Sequence, residues 1–465
     1  MEVPRRRPDS GAMTTVHLPT EREPAVWPRR PFVLLGISLG YFMVLLDMTV
    51  LSVAEPDLAA SLHTSIAGLQ WATTGYTVTF GALLLSAGAV ADRYGAHRVF
   101  RAGVAVFGGA SLLSAFAPTL PALVGLRAVL GVAAAACVPA SMSLIARLYP
   151  DPAGRARAVA SWAAVSGAAV AAGPVAGGVL VDLAGWRAIF LINVPLALLV
   201  LALTAGRAVR CPRGDRRIDW TAQLAACAVP ALLTDALIAA GARSWAHAAG
   251  SAAAAVPAAA VFAVLERRSA APVLHRPLLR GRGVRAGLLA GAAVNFALNG
   301  NLFVLPLLFQ QDRHLGAAAS GLAFLPLTLP FALVPPVAGR IVARVGPRPP
   351  ILAGLTSLAA GCAVLGWAAR AGAGYPWLAS GLLLAGFGVS FVLPALVSAV
   401  IAAAPQGTAG AAGGLLNAVR QMGATLGVAA MGACVGPDAE TTWALLLAAA
   451  VCAAAAVAFG RGAAR

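Results

Sequence analysis

Apolar stretches of about twenty residues recur along almost the whole chain, and nothing else in the sequence constrains the fold as tightly. A helix needs roughly 20 predominantly apolar residues to cross the hydrocarbon core of a bilayer. Lipid offers no partner to a backbone N–H or C=O, so each such stretch is read as a helix that satisfies its own backbone. Spans are expected at 31–53, 68–90, 99–118, 120–146, 158–181, 186–206, 220–241, 246–265, 284–309, 318–339, 350–369, 376–402, 409–434 and 441–460. The expected fold class is therefore an all-α polytopic membrane protein with fourteen transmembrane helices. Composition agrees: 60% of the 465 residues are hydrophobic and 11% charged, too few charges to cover a soluble domain of this length.

Charge placement gives the orientation. All 34 basic residues are arginine, and 28 of them fall in the N-terminal tail, the loops after even-numbered spans and the C-terminus. The positive-inside bias then puts both termini in the cytoplasm, in a cell (inner) membrane. The formal charge of +17 is thus a topology signal, and nucleic acid is not an expected partner. Residues 1–30 hold no apolar stretch and read as a disordered cytoplasmic tail. The six cysteines show no C-x-x-C spacing or Cys/His cluster, so neither a disulfide framework nor a metal site is expected.

One internal echo suggests the plan. Gly88, Arg93 and Gly95 after span two recur in spacing as Gly339, Arg344 and Gly346 after span ten. An offset of eight helices divides the chain into a six-helix bundle at 31–206, an inserted pair with Arg-rich linkers at 207–283, and a second bundle at 284–465. Parallel halves of this kind recur in secondary transporters, with the substrate site between them near the bilayer midplane.

Ionisable residues inside spans are costly and mark function by default. Asp47 lies six residues from the outer end of span one, and Arg127 seven from the outer end of span four. At 1.5 Å per residue both sit roughly 10 Å below the outer surface, where they can pair directly or through water. A carboxylate whose proton affinity follows its neighbours can carry a proton, and the competing reading is a static pair that fixes helix register. Arg420 falls near the middle of span 13, facing an anionic ligand group or capping carbonyls. Asn295 and Asn299 share one face of span nine, for a cavity or for helix–helix hydrogen bonds. Asp235, in the inserted pair, reads as packing or peripheral, and His63, His247 and His314 as solvated outer-loop residues.

Several stretches resemble the major facilitator superfamily, and within it the fourteen-helix drug:proton antiporters. Gly88, Asp92, Arg93, Gly95 and Arg98 match the cytoplasmic gate motif, with Ala96 and His97 where basic residues are usual. The resemblance implies that Asp92 faces the start of span 13 near Gly410, where a helix N-terminus favours a carboxylate. Gly173, Pro174, Gly177 and Gly178, followed by Trp186-Arg187 and Asn193-Val-Pro195, match the antiporter motif associated with exporters. Leu46-Asp47-Met-Thr49, with Ser52 and Glu55 in place of the usual Asn and Leu, resembles the span-one signature; Gln70, Trp71 and Tyr76 fit its continuation. Leu123 to Gly131 matches the span-four motif whose arginine, here Arg127, is implicated in proton transfer. Gly414 to Gly423, with Asn417 and Arg420, matches span 13.

The resemblance implies a monomeric proton-coupled exporter of small organic compounds such as drugs or antibiotics, working by alternating access. Asp47 and Arg127 would couple protons, and Thr49, Gln70, Tyr76, Asn295, Asn299, Asn417 and Arg420 would line the substrate cavity. The implied energy source is the proton gradient, with no cofactor and no metal, and the partners are substrate, protons and the lipid bilayer. No Walker A sequence or catalytic constellation is visible, so neither ATP-driven transport nor an enzyme is expected. The alternatives are a narrow metabolite exporter or an importer of the same fold, or a non-transport membrane protein.

Overall fold

The computed structural model describes residues 30–206, 220–269, 276–405, 408–435 and 441–462. The expected tail before Arg30, the linker near 207–217 and the middle of the linker at 266–285 lie outside the described residues. Helices α1 (Arg30–Leu62), α2 (Ile66–Tyr94), α3 (Ala96–Ala115), α4 (Leu120–Leu148), α5 (Pro152–Ala184), α6 (Ala188–Leu191) and α7 (Asn193–Leu203) build the first bundle. Then come the pair α8 (Trp220–Gly241) and α9 (Trp245–Arg268), and a short α10 (Arg276–Arg280). The second bundle holds α11 (Arg282–Leu307), α12 (Ala317–Ala323), α13 (Leu325–Leu333), α14 (Pro335–Val345), α15 (Arg348–Arg370), α16 (Tyr375–Ala402), α17 (Ala409–Ala433) and α18 (Thr441–Gly462).

Nine of the described helices are long and apolar enough to cross a membrane, and eleven spans result if two bent runs each count once. At 99–118, 186–206 and 409–434, where further spans are expected, lie α3, α6 with α7, and α17, which fall short of that length or apolarity. Span ten, expected as one stretch at 318–339, is instead three pieces running from Ala317 to Val345. It turns by 58° between α13 and α14. Pro335 and Pro336 stand at that bend, where two missing amide donors and two rings prevent a continuous helix.

The helix stops after α2 and α14 explain the internal echo. Gly95 has φ 91° and Gly346 φ 80°, a left-handed region in which a side chain would collide with the backbone. The second glycine of each repeat is therefore the residue that ends its helix.

Within the first bundle α1 packs on α5 and α7, and α4 on α2 and α3; within the second, α11 packs on α17 and α18, and α15 on α16 and α18. The halves meet along two seams, α2 on α17 and α5 on α12 and α13. The inserted pair sits outside this core. Helix α8 leans on the α2–α17 seam, and α9 packs chiefly on α8. Asp235 on α8 is indeed a packing residue: it bonds His247 of α9 at 2.7 Å and the Ser251 hydroxyl. His247 thus belongs to the first turn of α9 rather than to a loop.

The two seams are tight at the end that carries the α1–α2 turn, the outer end in the expected orientation. Gln70 Nε2 on α2 donates to the carbonyls of Val428 (3.1 Å) and Ala429 (2.8 Å) on α17. Thr425 donates to Thr77 at 2.8 Å, and a Cβ on Gly81 would lie 2.7 Å from Gln421 Cβ. On the other seam the Ala318 amide donates to the Asp182 carboxylate at 3.0 Å. Gln310 Nε2 closes the same end by donating to the Val53 carbonyl at 2.8 Å. At the opposite end, a Cβ on Gly88, Gly339, Gly410 or Gly413 would meet nothing within 4 Å.

Candidate functional site

Five helices of the first bundle converge on one buried carboxylate. Asp47 of α1 and Arg127 of α4, each 1% exposed, form a direct ion pair between Oδ2 and Nη1. Asn193, the first residue of α7, donates from Nδ2 to Asp47 Oδ1 at 3.0 Å and to Ser111 Oγ of α3 at 3.3 Å. Arg127 Nε donates to the Ala72 carbonyl of α2 at 3.0 Å. Its guanidinium carbon lies 4.7 Å from the centre of the Tyr76 ring, whose hydroxyl donates to the Val44 carbonyl at 3.3 Å. Charge, amide and ring together satisfy most of the polar capacity of the pair, which a low-dielectric interior requires.

Small residues make this convergence possible. A side chain on Gly131 of α4 would run into Tyr76 and Thr79, and Thr79 donates instead to the Ala128 carbonyl at 3.0 Å. The expected antiporter motif is used on two faces. Added Cβ atoms on Gly173 and Gly177 would strike Thr49 and the Val50 carbonyl of α1, inside the same half. Gly178 instead faces Ala317 and Ala318 of α12, and Gly321 faces Pro174 and Val175, so Pro174 and Gly178 bring the opposite half into van der Waals contact.

The expected cavity residues separate. Thr49 is sealed against α5 and donates back to the Leu45 and Leu46 carbonyls. Tyr76 is enclosed around Arg127, and Gln70 is built into the outer seam. The other four stand together in the second half. Arg420 is half-buried, and donates from Nε to Asn295 Oδ1 at 3.2 Å and from Nη1 to Asn417 Oδ1 at 3.1 Å. Asn299 donates to the Asn295 carbonyl at 3.0 Å. From the first half, Tyr41 of α1 stacks on Trp162 of α5 with ring centres 4.4 Å apart and planes 5° from parallel. The expected gate residues lie at the exposed inner end of α2: Asp92 and Arg93 are exposed, Arg93 rests over the Tyr94 ring, and Arg98 donates to the Tyr94 carbonyl.

Asn193, Ser111, Gln310 and Asp182 carry contacts that the sequence reading did not assign. For Asn193 a signal was present: an amide in an apolar run obeys the same cost argument as Asp47. Among the described residues no group of three His, Cys, Asp or Glu side chains is arranged to hold a metal.

Comparison with known proteins bears on this geometry. Residues 37–428 match the family model of the Major Facilitator Superfamily. The chain is 35% identical to the methylenomycin A resistance protein of Streptomyces coelicolor, over 85% of this chain and 84% of the relative. It is 33% identical to the multidrug resistance protein Stp of Mycobacterium tuberculosis, over 86% and 74%, and 32% identical to the tetracenomycin C resistance and export protein of Streptomyces glaucescens, over 87% and 75%. Among solved structures it superposes on a bacterial homologue of the human lysosomal transporter Spinster with a TM-score of 0.68 at 18% identity, over 94% and 97%. The xylose transporter XylE of E. coli gives a TM-score of 0.66 at 14% identity, over 92% and 98%.

Proposed function

The chain belongs to the major facilitator superfamily, and on that premise we propose that it is a proton-coupled antiporter exporting small organic compounds such as drugs or antibiotics. It is a multi-pass membrane transporter rather than an enzyme. In this reading it sits in the inner membrane as a monomer with fourteen spans and both termini in the cytoplasm. The five-helix knot on Asp47 is the observation that carries the coupling. Protonating Asp47 removes the charge that holds Arg127, so proton binding and the α1–α4 contact change together. The substrate would lie between the halves, near the Tyr41–Trp162 stack and Arg420. The antibiotic-resistance names of the relatives support this class of cargo.

Inverted vesicles test it with a panel of dyes and antibiotics, ethidium included. A transported compound should accumulate in energised vesicles and be released by a protonophore. Asp47→Asn, equally well inserted, should let that compound equilibrate but not accumulate. Accumulation that follows ATP and ignores the protonophore, or unimpaired accumulation by Asp47→Asn, removes the mechanism.

A further inference from the structure

One carboxyl beside the knot has no role in it. Glu55 stands eight residues beyond Asp47 on α1, about 12 Å farther toward the outer end at 1.5 Å per residue, and is as deeply buried. Its Oε1 accepts from Thr73 Oγ1 at 3.0 Å, whereas Oε2 is buried with no hydrogen-bond partner. Thr73 adjoins Ala72, the residue whose carbonyl holds Arg127 Nε, so consecutive residues of α2 connect the two side chains. Four other ionisable groups near the same ends of α1 and its neighbours are engaged elsewhere, while His63, Asp312 and His314 lie at the turns beyond. Asp57 accepts from the Trp186 amide, Asp182 from the Ala318 amide, Arg187 donates to Ser61, and Tyr76 donates to Val44.

The charge balance of this enclosure requires a proton. It contains one cation and two carboxyls, and the cation is committed to Asp47. An unpaired hydroxyl costs a few kcal/mol in an apolar interior, whereas an unpaired carboxylate costs far more. One proton on Glu55 brings the net charge to zero. The outer closure also passes over this residue, because Gln310 of the second half bonds the Val53 carbonyl two residues away.

We propose that Glu55 is a second proton-binding site, loaded from the outer side and sealed when the outer seam closes. With the seam parted, an O–H bond forms on the Glu55 carboxylate with a proton from outer water. On release that bond breaks and the proton passes through water to the Asp47 carboxylate, freeing Arg127 to face the Glu55 carboxylate. Net charge is unchanged at each internal step. The proposal rests on the proton-coupled reading above, but its test does not use transport.

Infrared spectroscopy of the full chain in lipid vesicles at neutral pH reads the protonated-carboxyl C=O stretch directly. The wild type should show this band, Glu55→Gln and Glu55→Leu should lose one carboxyl's worth of it, and Asp47→Asn should keep it. Uniform carbon-13 labelling of glutamate, which needs no substitution, should move the band, and labelling of aspartate should not. A wild type with no band, a band that glutamate labelling leaves in place, or a band undiminished in both Glu55 variants overturns the proposal. Loss of protonophore sensitivity with the Glu55 band present would instead sink the coupling reading alone.

Discussion

Arg127 and Arg420 are arginines on helices of opposite halves, and the structure treats them in opposite ways. Arg127 meets a carboxylate, a backbone carbonyl and an aromatic face, and solvent scarcely reaches it. Arg420 meets two amide oxygens, is half-buried and has no acid among its hydrogen-bond partners in the described residues. A neutralised, enclosed pair is suited to switching on a proton, because only protonation changes its charge. A cation satisfied by neutral acceptors is suited to attracting the negative or electron-rich part of a ligand, because no acid has cancelled it. The seams show a parallel contrast between an outer end closed by backbone contact and an inner end where glycines face open space.

The sharpest way to break the first contrast is to remove each arginine in turn. Arg127→Ala leaves Asp47 buried and unpaired and should destabilise the protein by about 3–5 kcal/mol. Arg420→Ala loses hydrogen bonds to neutral groups that water can replace, and should cost about 1 kcal/mol or less while weakening transport. Thermal unfolding in detergent measures both; equal losses would show that the two sites are not distinct in kind.

The second contrast predicts position-dependent glycine effects. Gly178→Ala drives a methyl group into the Ala317 backbone across the outer seam, at a cost of about 1–3 kcal/mol, and should raise labelling of an outer-seam cysteine such as Gln310→Cys. Asp182→Asn removes the carboxylate that receives the Ala318 amide and should shift the same labelling by about 0.5–1.5 kcal/mol, a severalfold change. Gly410→Ala points into open space and should stay within about 0.5 kcal/mol of wild type. A Gly410→Ala effect as large as that of Gly178→Ala would contradict this difference between the two ends.

Much of the site was legible without coordinates. Asp47 and Arg127 stood out as charges in apolar runs, and their equal depth from the span ends anticipated the pair that forms. The antiporter glycines were legible as close-approach positions. Their division of labour was not, since Gly173 and Gly178 are five residues apart on one helix and face different partners. The family resemblance groups Thr49, Gln70 and Tyr76 with the cavity. Each instead satisfies a backbone carbonyl inside a helix contact, a use that residue type and spacing do not distinguish from ligand binding.

The sequence by itself determined that the chain spans a membrane many times, where most helices lie and which residues carry charge into the bilayer. These properties follow from local apolarity, from the inability of lipid to solvate a backbone, and from the cost of an intramembrane charge. Tertiary structure alone decided that Asn193 and Ser111 complete the Asp47 knot, that span ten bends at Pro335, and that Glu55 Oε2 is left without a partner. The reason is that lipid is as apolar as a neighbouring helix, so helices apolar on every side do not encode which face turns inward. Neighbours are chosen by the fit of small residues and by the few polar groups that must find one another, and both depend on segments far apart in the chain.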